Sequence, residues 1–143
     1  MLRSDIERKR LLGVTELVRL PESAYAPDVT ERVFATLREQ AEIALRAGQS
    51  VIVDAVHRDA RERRGIADVA AATGAAFTGL WLDAQLATMV SRATARSGDA
   101  SDATAAVVTD QAGEPLGAIE WRRLDASRLP VELVKEAVAA IGT

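Results

Sequence analysis

Four aspartates stand where an open α/β fold would place its chemistry. Asp54, Asp83 and Asp125 each close a short run read as a strand, and Asp5 follows the opening Met1-Leu2-Arg3-Ser4. In open parallel sheets, ligands bind beyond the carboxyl ends of the strands. A carboxylate there can hold a metal ion, orient a hydroxyl or take up a proton. The competing reading is structural: an acid at such a point caps the next helix and satisfies its free N–H groups. Capping is the expectation for Asp83, and Asp125 is expected to serve the turn at Ser127 in the same way. Asp5 and Asp54 differ because other features surround them.

Basic residues supply the complementary charge. Arg92 and Arg96 are four apart, so on a helix they project from one face. The small polar segment Ser97-Gly98-Asp99-Ala100-Ser101-Asp102 follows them and is suited to a hinge or lid. Two guanidiniums beside such a segment can clamp a phosphoryl group, whereas the plain alternative is a solvated helix face. Arg58, Arg61, Arg63 and Arg64 crowd a helix start just beyond Asp54. Cations there oppose the helix dipole unless an anion or an acid such as Asp59 or Glu62 meets them. His57 is the only histidine; without clustered ligands it reads as a loop hydrogen-bonder rather than a metal ligand or base.

The elements that must position these residues alternate between strand and helix. Ser4, with Glu7 three residues on, predicts a capped helix from Asp5. Asp28 and Glu31 form a second such pair ahead of a helix whose apolar face is Val33, Phe34, Leu37, Ala41, Ala44 and Leu45, stopping at Gly48. Residues 51–53 are a continuously apolar strand ending in Asp54. Asp59 and Glu62 open a helix with Ile66, Val69 and Ala70 inward, ending at Gly74. A strand over 77–82 leads to Asp83, and a helix over 85–97 carries Leu86, Met89, Val90 and Ala93. Ser101 is expected to cap a helix that stops at Gly113. A loop over 114–117, a strand over 119–124 and a helix from Pro130 to about Ile141 complete the chain. Strands separated by helix-length spacers predict βαβ units and a parallel sheet.

Composition narrows the setting. The 143 residues carry a net charge of −3 and no cysteine, which excludes disulfides, thiolate metal sites and cysteine nucleophiles. Neither nucleic acid nor an anionic membrane is an expected partner. No apolar run reaches the length of a membrane span, and the charged N-terminus does not resemble a signal peptide, so a cytoplasmic location is the expectation.

The segment from Leu2-Arg3-Ser4-Asp5 through Arg8-Lys9-Arg10 resembles the stretch after the second strand of small P-loop kinases: the AAA-like ATP-binding kinase domains and relatives of gluconate kinase and zeta toxin. Gly48 to Ala55 is similar to their third strand with its terminal acid. Arg61 to Arg64 resembles the arginine-bearing helix start that follows. Arg92 and Arg96, then residues 100–103 and Gln111, resemble the lid, here about 92–113. The resemblance runs over nearly the whole chain. It implies a three-layer αβα parallel sheet of P-loop kinase type with about three to four strands and about six helices, in one domain over 1–143. It implies phosphoryl transfer from ATP, with Mg²⁺, to the hydroxyl of a small molecule. In that scheme Asp5 receives the acceptor hydroxyl, with Arg8 and Arg61 beside the substrate. Asp54 lies near the metal-bound phosphates, and Arg92 and Arg96 act on the γ-phosphoryl in both catalytic and cofactor-binding roles.

One departure is large. The defining motif, a strand followed by Gly-x4-Gly-Lys-Ser/Thr and a helix, does not occur in this sequence, whose only lysines are Lys9 and Lys135. The expectation is a truncated domain, with a βα unit of roughly 30 or more residues missing before Met1. In the family's sheet the first strand lies between the third and fourth. Without it, the strands at 51–54 and 77–82 are expected to pair directly, to leave a gap, or to take a strand from another copy or a partner. The alternatives to an incomplete kinase are a degenerate kinase-like binding or regulatory module without catalysis, and a phosphatase-like or receiver-like domain with a metal at Asp54.

Overall fold

A computed structural model describes residues 1–142. Those residues form six α-helices and four short strands in two separate parallel pairs. The chain divides into two compact units. One takes Met1–Ala76 and Ser97–Asp102; the other takes Phe77–Arg96 and the residues from Ala103 onward.

In the first unit, Leu2–Arg3 (β1) runs directly into helix Ser4–Leu11 (α1). A 3₁₀ turn at Glu22–Tyr25 and the long helix Pro27–Arg46 (α2) follow, then Val53–Asp54 (β2) and helix Ala60–Thr73 (α3). β1 and β2 are parallel, with Leu2 beside Val53 and Arg3 beside Asp54. The long connection through α1 and α2 is what a parallel pair requires. The apolar face read for α2 is the one that packs: Val33, Phe34, Leu37 and Ala41 are buried. Val33, Phe34 and Leu37 gather Leu2, Leu11, Val53 and Ala55 around them. Burying a side chain of this size stabilises by about 1.5–3 kcal/mol, so this cluster fixes where the ends of β1 and β2 lie. Gly48, at φ +75°, closes α2: its N–H donates to Leu45 O, and that of Gln49 to Ala44 O.

In the second unit, Leu80–Asp83 (β3) pairs in parallel with Arg122–Asp125 (β4), aligning Leu82 with Leu124 and Asp83 with Asp125. Helices Leu86–Ala95 (α4) and Ala105–Ala112 (α5) connect the strands, and Pro130–Ile141 (α6) follows. Leu124 and Ala126 are its buried apolar residues among those described beyond Asp102. Just before the pair begins, the Trp121 ring lies over Gly79 and meets Phe77 edge-on, with centroids 5.9 Å apart.

The strands at 51–54 and 77–82 do not pair with each other. Each has its own parallel partner across its own helical connection, β2 with β1 and β3 with β4. The regular strands are also shorter than read, and β3 and β4 start later, because the chain around Gly79 and Trp121 is given over to ring packing.

Two of the expected capping boxes are not formed. Ser4 is already helical, so Arg3 is the N-cap, without a side-chain bond. Glu7 turns inward instead and accepts from Gln40 Nε2 at 3.1 Å. Pro27 takes the first position of α2, making Ala26 the N-cap and leaving Asp28 in the first turn. The Asp59–Glu62 box is formed: Asp59 Oδ1 accepts from Arg61 N at 2.8 Å, and the Glu62 carboxylate accepts from the Asp59 backbone. Thr104 rather than Ser101 caps α5, accepting from Val107 N at 3.3 Å. Asp83 does not cap a helix; it pairs across the strands with Arg123 at 2.7 Å. Asp125 accepts from Ser127 N at 2.9 Å, as read.

Candidate functional site

The register of β1 on β2 sets Arg3 beside Asp54, and α1 begins on the next residue, so Asp5 follows within its first turn. Arg3 Nε donates to Asp54 Oδ2 at 3.2 Å, and its Nη2 donates to both Asp99 oxygens at 3.1 and 3.2 Å. Asp99 belongs to Ser97–Asp102, which packs as a strap within the first unit. Asp99 Oδ1 accepts from Ser101 N at 2.9 Å, and the Ser101 hydroxyl donates to the Asp5 carboxylate.

Asp102 anchors the strap. It accepts from Lys9 Nζ at 3.2 Å, Leu20 N at 3.1 Å and Tyr25 OH at 2.7 Å. Lys9 is the most buried cation, 1% exposed, and also donates to Glu16 O at 2.7 Å. Burial pushes the Asp102 carboxyl up, but its three donors outweigh that and hold it below the ordinary value. Burial, then Asp102, pushes the Tyr25 hydroxyl up.

Asp5 is shifted the other way. Burial raises its carboxyl, and Asp54 adds to the rise; Ser101, Arg3 and Arg8 oppose it. A half-buried carboxylate with an elevated pKa at the end of a parallel strand is suited to receive a hydroxyl and its proton. Arg8, 6% exposed, flanks it but is itself committed. Its Nη1 donates to Ala24 O at 2.8 Å and Thr30 Oγ1 at 3.2 Å, and its guanidinium lies 4.7 Å from the Tyr25 ring centroid. Burial lowers its pKa, while Tyr25 and Asp5 raise it.

His57 lies just past β2, in the left-handed region at φ +44° and 4% exposed, edge-on to Phe34 at 5.3 Å. Its carbonyl accepts from Arg63 Nη1 at 2.8 Å, as does that of Arg58 at 2.7 Å, so Arg63 fixes the loop after Asp54. Burial, then the Arg63 charge, lowers the His57 pKa to about 4. Its unfolded value is about 6.5, so the unfolded chain takes up the extra proton as pH falls between 6.5 and 4. The first unit should lose up to about 1.4 kcal/mol per pH unit across that window, about 3 kcal/mol in all. Urea unfolding at pH 7, 5.5 and 4.5 tests this. His57→Asn, chosen because Asn tolerates φ > 0, should flatten the dependence; an equal slope in both proteins would exclude His57 as its source.

A family model described as an AAA domain matches residues 1–114. The chain belongs to that family. It is a P-loop kinase-like AAA domain, and its α/β organisation of parallel strands and helices is that of the P-loop type. No curated protein and no solved structure matches. The AAA match begins at β1 and ends just past α5, so it takes in the strap and every candidate site residue.

The residues expected at an AAA kinase-like site fall into separate settings. Asp5, Arg8 and Asp54 lie in the first unit, with Asp5 bonded to Ser101 and Asp54 to Arg3. Arg61 is in that unit too, but it is 84% exposed and folded back on Asp59 at 2.7 Å. Arg92 and Arg96 belong to the second unit. Arg92 Nη1 donates to Ala126 O at 2.6 Å, tying α4 to the turn after β4, and Arg96 is exposed at the end of α4.

AAA-type P-loop domains in general use a nucleotide and Mg²⁺. The residues here do not by themselves fit that pair. Asp54 Oδ2 is engaged by Arg3, and among the described residues no group of three or more acids or histidines gathers as a metal site. The glycine–lysine cradle for phosphates is not in the sequence. No helix among the described residues is long and apolar enough to cross a membrane.

Reading the sequence missed Arg3, Ser101 and Asp102 as site residues. The signal available was limited: two acids three apart in the segment read as a lid, and a basic residue two positions before Asp5.

Proposed function

We propose that this chain forms the acceptor side of an ATP-dependent phosphotransferase of the small-molecule kinase type. Asp5 holds the hydroxyl that is to be phosphorylated and takes up its proton. The observation that carries the reading is the Asp5 carboxylate itself: half-buried, raised above its ordinary value, and bonded to an alcohol hydroxyl of the chain. Asp54 corresponds in this reading to the family's acid near the phosphates, and Arg3 holds it here. Arg92 and Arg96 remain the family's lid arginines in this reading. It includes a cytoplasmic location, a partner strand from a second copy or another chain along β2, and phosphate contacts supplied by residues outside this sequence.

Calorimetric titration of this chain with glycerol, glucose, gluconate and adenosine tests the assignment. At least one should bind, and Asp5→Asn should weaken it about 10- to 100-fold, the range for a hydrogen bond to a charged group. Equal binding by both proteins would remove Asp5 from the role.

A second reading, a kinase-like binding module without catalysis, is favoured by the Arg3–Asp54 pair and by the absence of a glycine–lysine motif from the sequence. Titration with Mg-ATP tests the second reading. No saturable binding below millimolar would leave the module or an acceptor side that depends on outside residues. A micromolar Kd would mean that this chain alone holds the nucleotide.

A further inference from the structure

The hydroxyl already bonded to Asp5 comes from the strap, and the strap is fastened unequally. At one end Asp102 is tied by three donors, one of them the deeply buried Lys9. At the other end Asp99 is held by Arg3, and both side chains are partly exposed, at 33% and 22%. Between them Ala100 is buried and Ser101 turns its hydroxyl onto Asp5, while its N–H is held by Asp99. Exposed ion pairs are weak and buried ones are costly to break, so the strap opens from the Asp99 end while Asp102 stays in place.

We propose that Ser101 is the specificity-determining residue of the Asp5 site: its hydroxyl holds the place of the acceptor's hydroxyl, the strap is the gate, and Arg3 is the positioning residue that latches it through Asp99. The inference rests on the reading of Asp5 as the acceptor site. It also narrows the acceptor. Whatever replaces Ser101 must offer the same donor, an O–H on a carboxylate. Arg3 and Arg8 stand close enough to act on Asp5 electrostatically. The class is therefore polyhydroxyl compounds.

The test compares the full chain with Ser101→Ala and Arg3→Lys. Arg3→Lys keeps a positive charge but cannot reach Asp54 and Asp99 together. Amide hydrogen exchange at Ala100 and Ser101 should quicken about 5- to 10-fold in both variants, while amides around Leu37 stay as they were. Calorimetry with glycerol and glucose should show Ser101→Ala binding about fivefold tighter than the wild type, because the internal competitor is gone. A purely structural strap would give quicker exchange with no gain in affinity, and that result overturns the gate. Unchanged exchange in both variants overturns the latch. If no protein of the three binds glycerol or glucose, the reading of Asp5 as an alcohol site falls and the gate with it; the exchange rates still decide on their own whether Arg3 fastens the strap.

Discussion

Replacing Asp102 with Ala should destabilise the first unit by about 3–5 kcal/mol, the cost of leaving a buried charge without its partner. Lys9 is 1% exposed, so its charge cannot recover its hydration without local unfolding. The loss extends beyond one ion pair, because Leu20 N and Tyr25 OH lose their acceptor at the same time. Replacing both charges should recover most of it: in Lys9→Met/Asp102→Leu no unpaired charge is left in the interior. Tyr25 is the only tyrosine and bonds Asp102 directly, so its absorbance alongside circular dichroism follows this unit in a urea titration. A shift below 1 kcal/mol in Asp102→Ala would mean that the strap is held by other contacts.

Gly79→Ala should destabilise the second unit by about 2–3 kcal/mol. A Cβ at Gly79 would lie 2.5 Å from Trp121 Cδ1 and Cδ2 and press against Cγ, near the root of the ring. Those atoms cannot swing away as the tip of a long side chain can. The indole must leave its place, giving up its edge contact with Phe77 and tilting the backbone where Arg122 N donates to Gly79 O at 3.0 Å. Overpacking of this kind costs about 1–3 kcal/mol, and a unit whose helices bury no residue fully has little packing in reserve. Both tryptophans, Trp81 and Trp121, lie in this unit, so intrinsic fluorescence follows its unfolding separately. Gly79→Ala/Trp121→Val should regain part of the loss. Wild-type stability in Gly79→Ala would show that the ring is not seated on the glycine.

The order of strands and helices was legible because each element carries its own local signal. The apolar stripe of α2 from Val33 to Ala41 and the short runs before Asp54 and Asp125 do not depend on distant partners. Caps were less legible, since one residue of shift changes the role of every residue near a helix start. A helix that begins directly off β1 makes Ser4 helical and frees Glu7 to turn inward. Pro27 moves the start of α2 in a similar way. Asp5 could be singled out as an acid after a strand. Its partner Ser101 and the latch between Arg3 and Asp99 could not, because these contacts join residues more than ninety positions apart. The same holds for Lys9 and Asp102: each looks like an ordinary surface charge until the strap folds over α1.

The central claim is that a hydroxylated small molecule binds at Asp5 in place of Ser101. Chemical-shift mapping of the wild-type chain tests it most directly, titrating glycerol, glucose, gluconate and adenosine into the labelled protein. The account predicts saturable shifts for at least one alcohol, centred on the amides of Asp5, Asp99 and Ser101. Shifts confined to residues elsewhere, or none with any of the four, would contradict it.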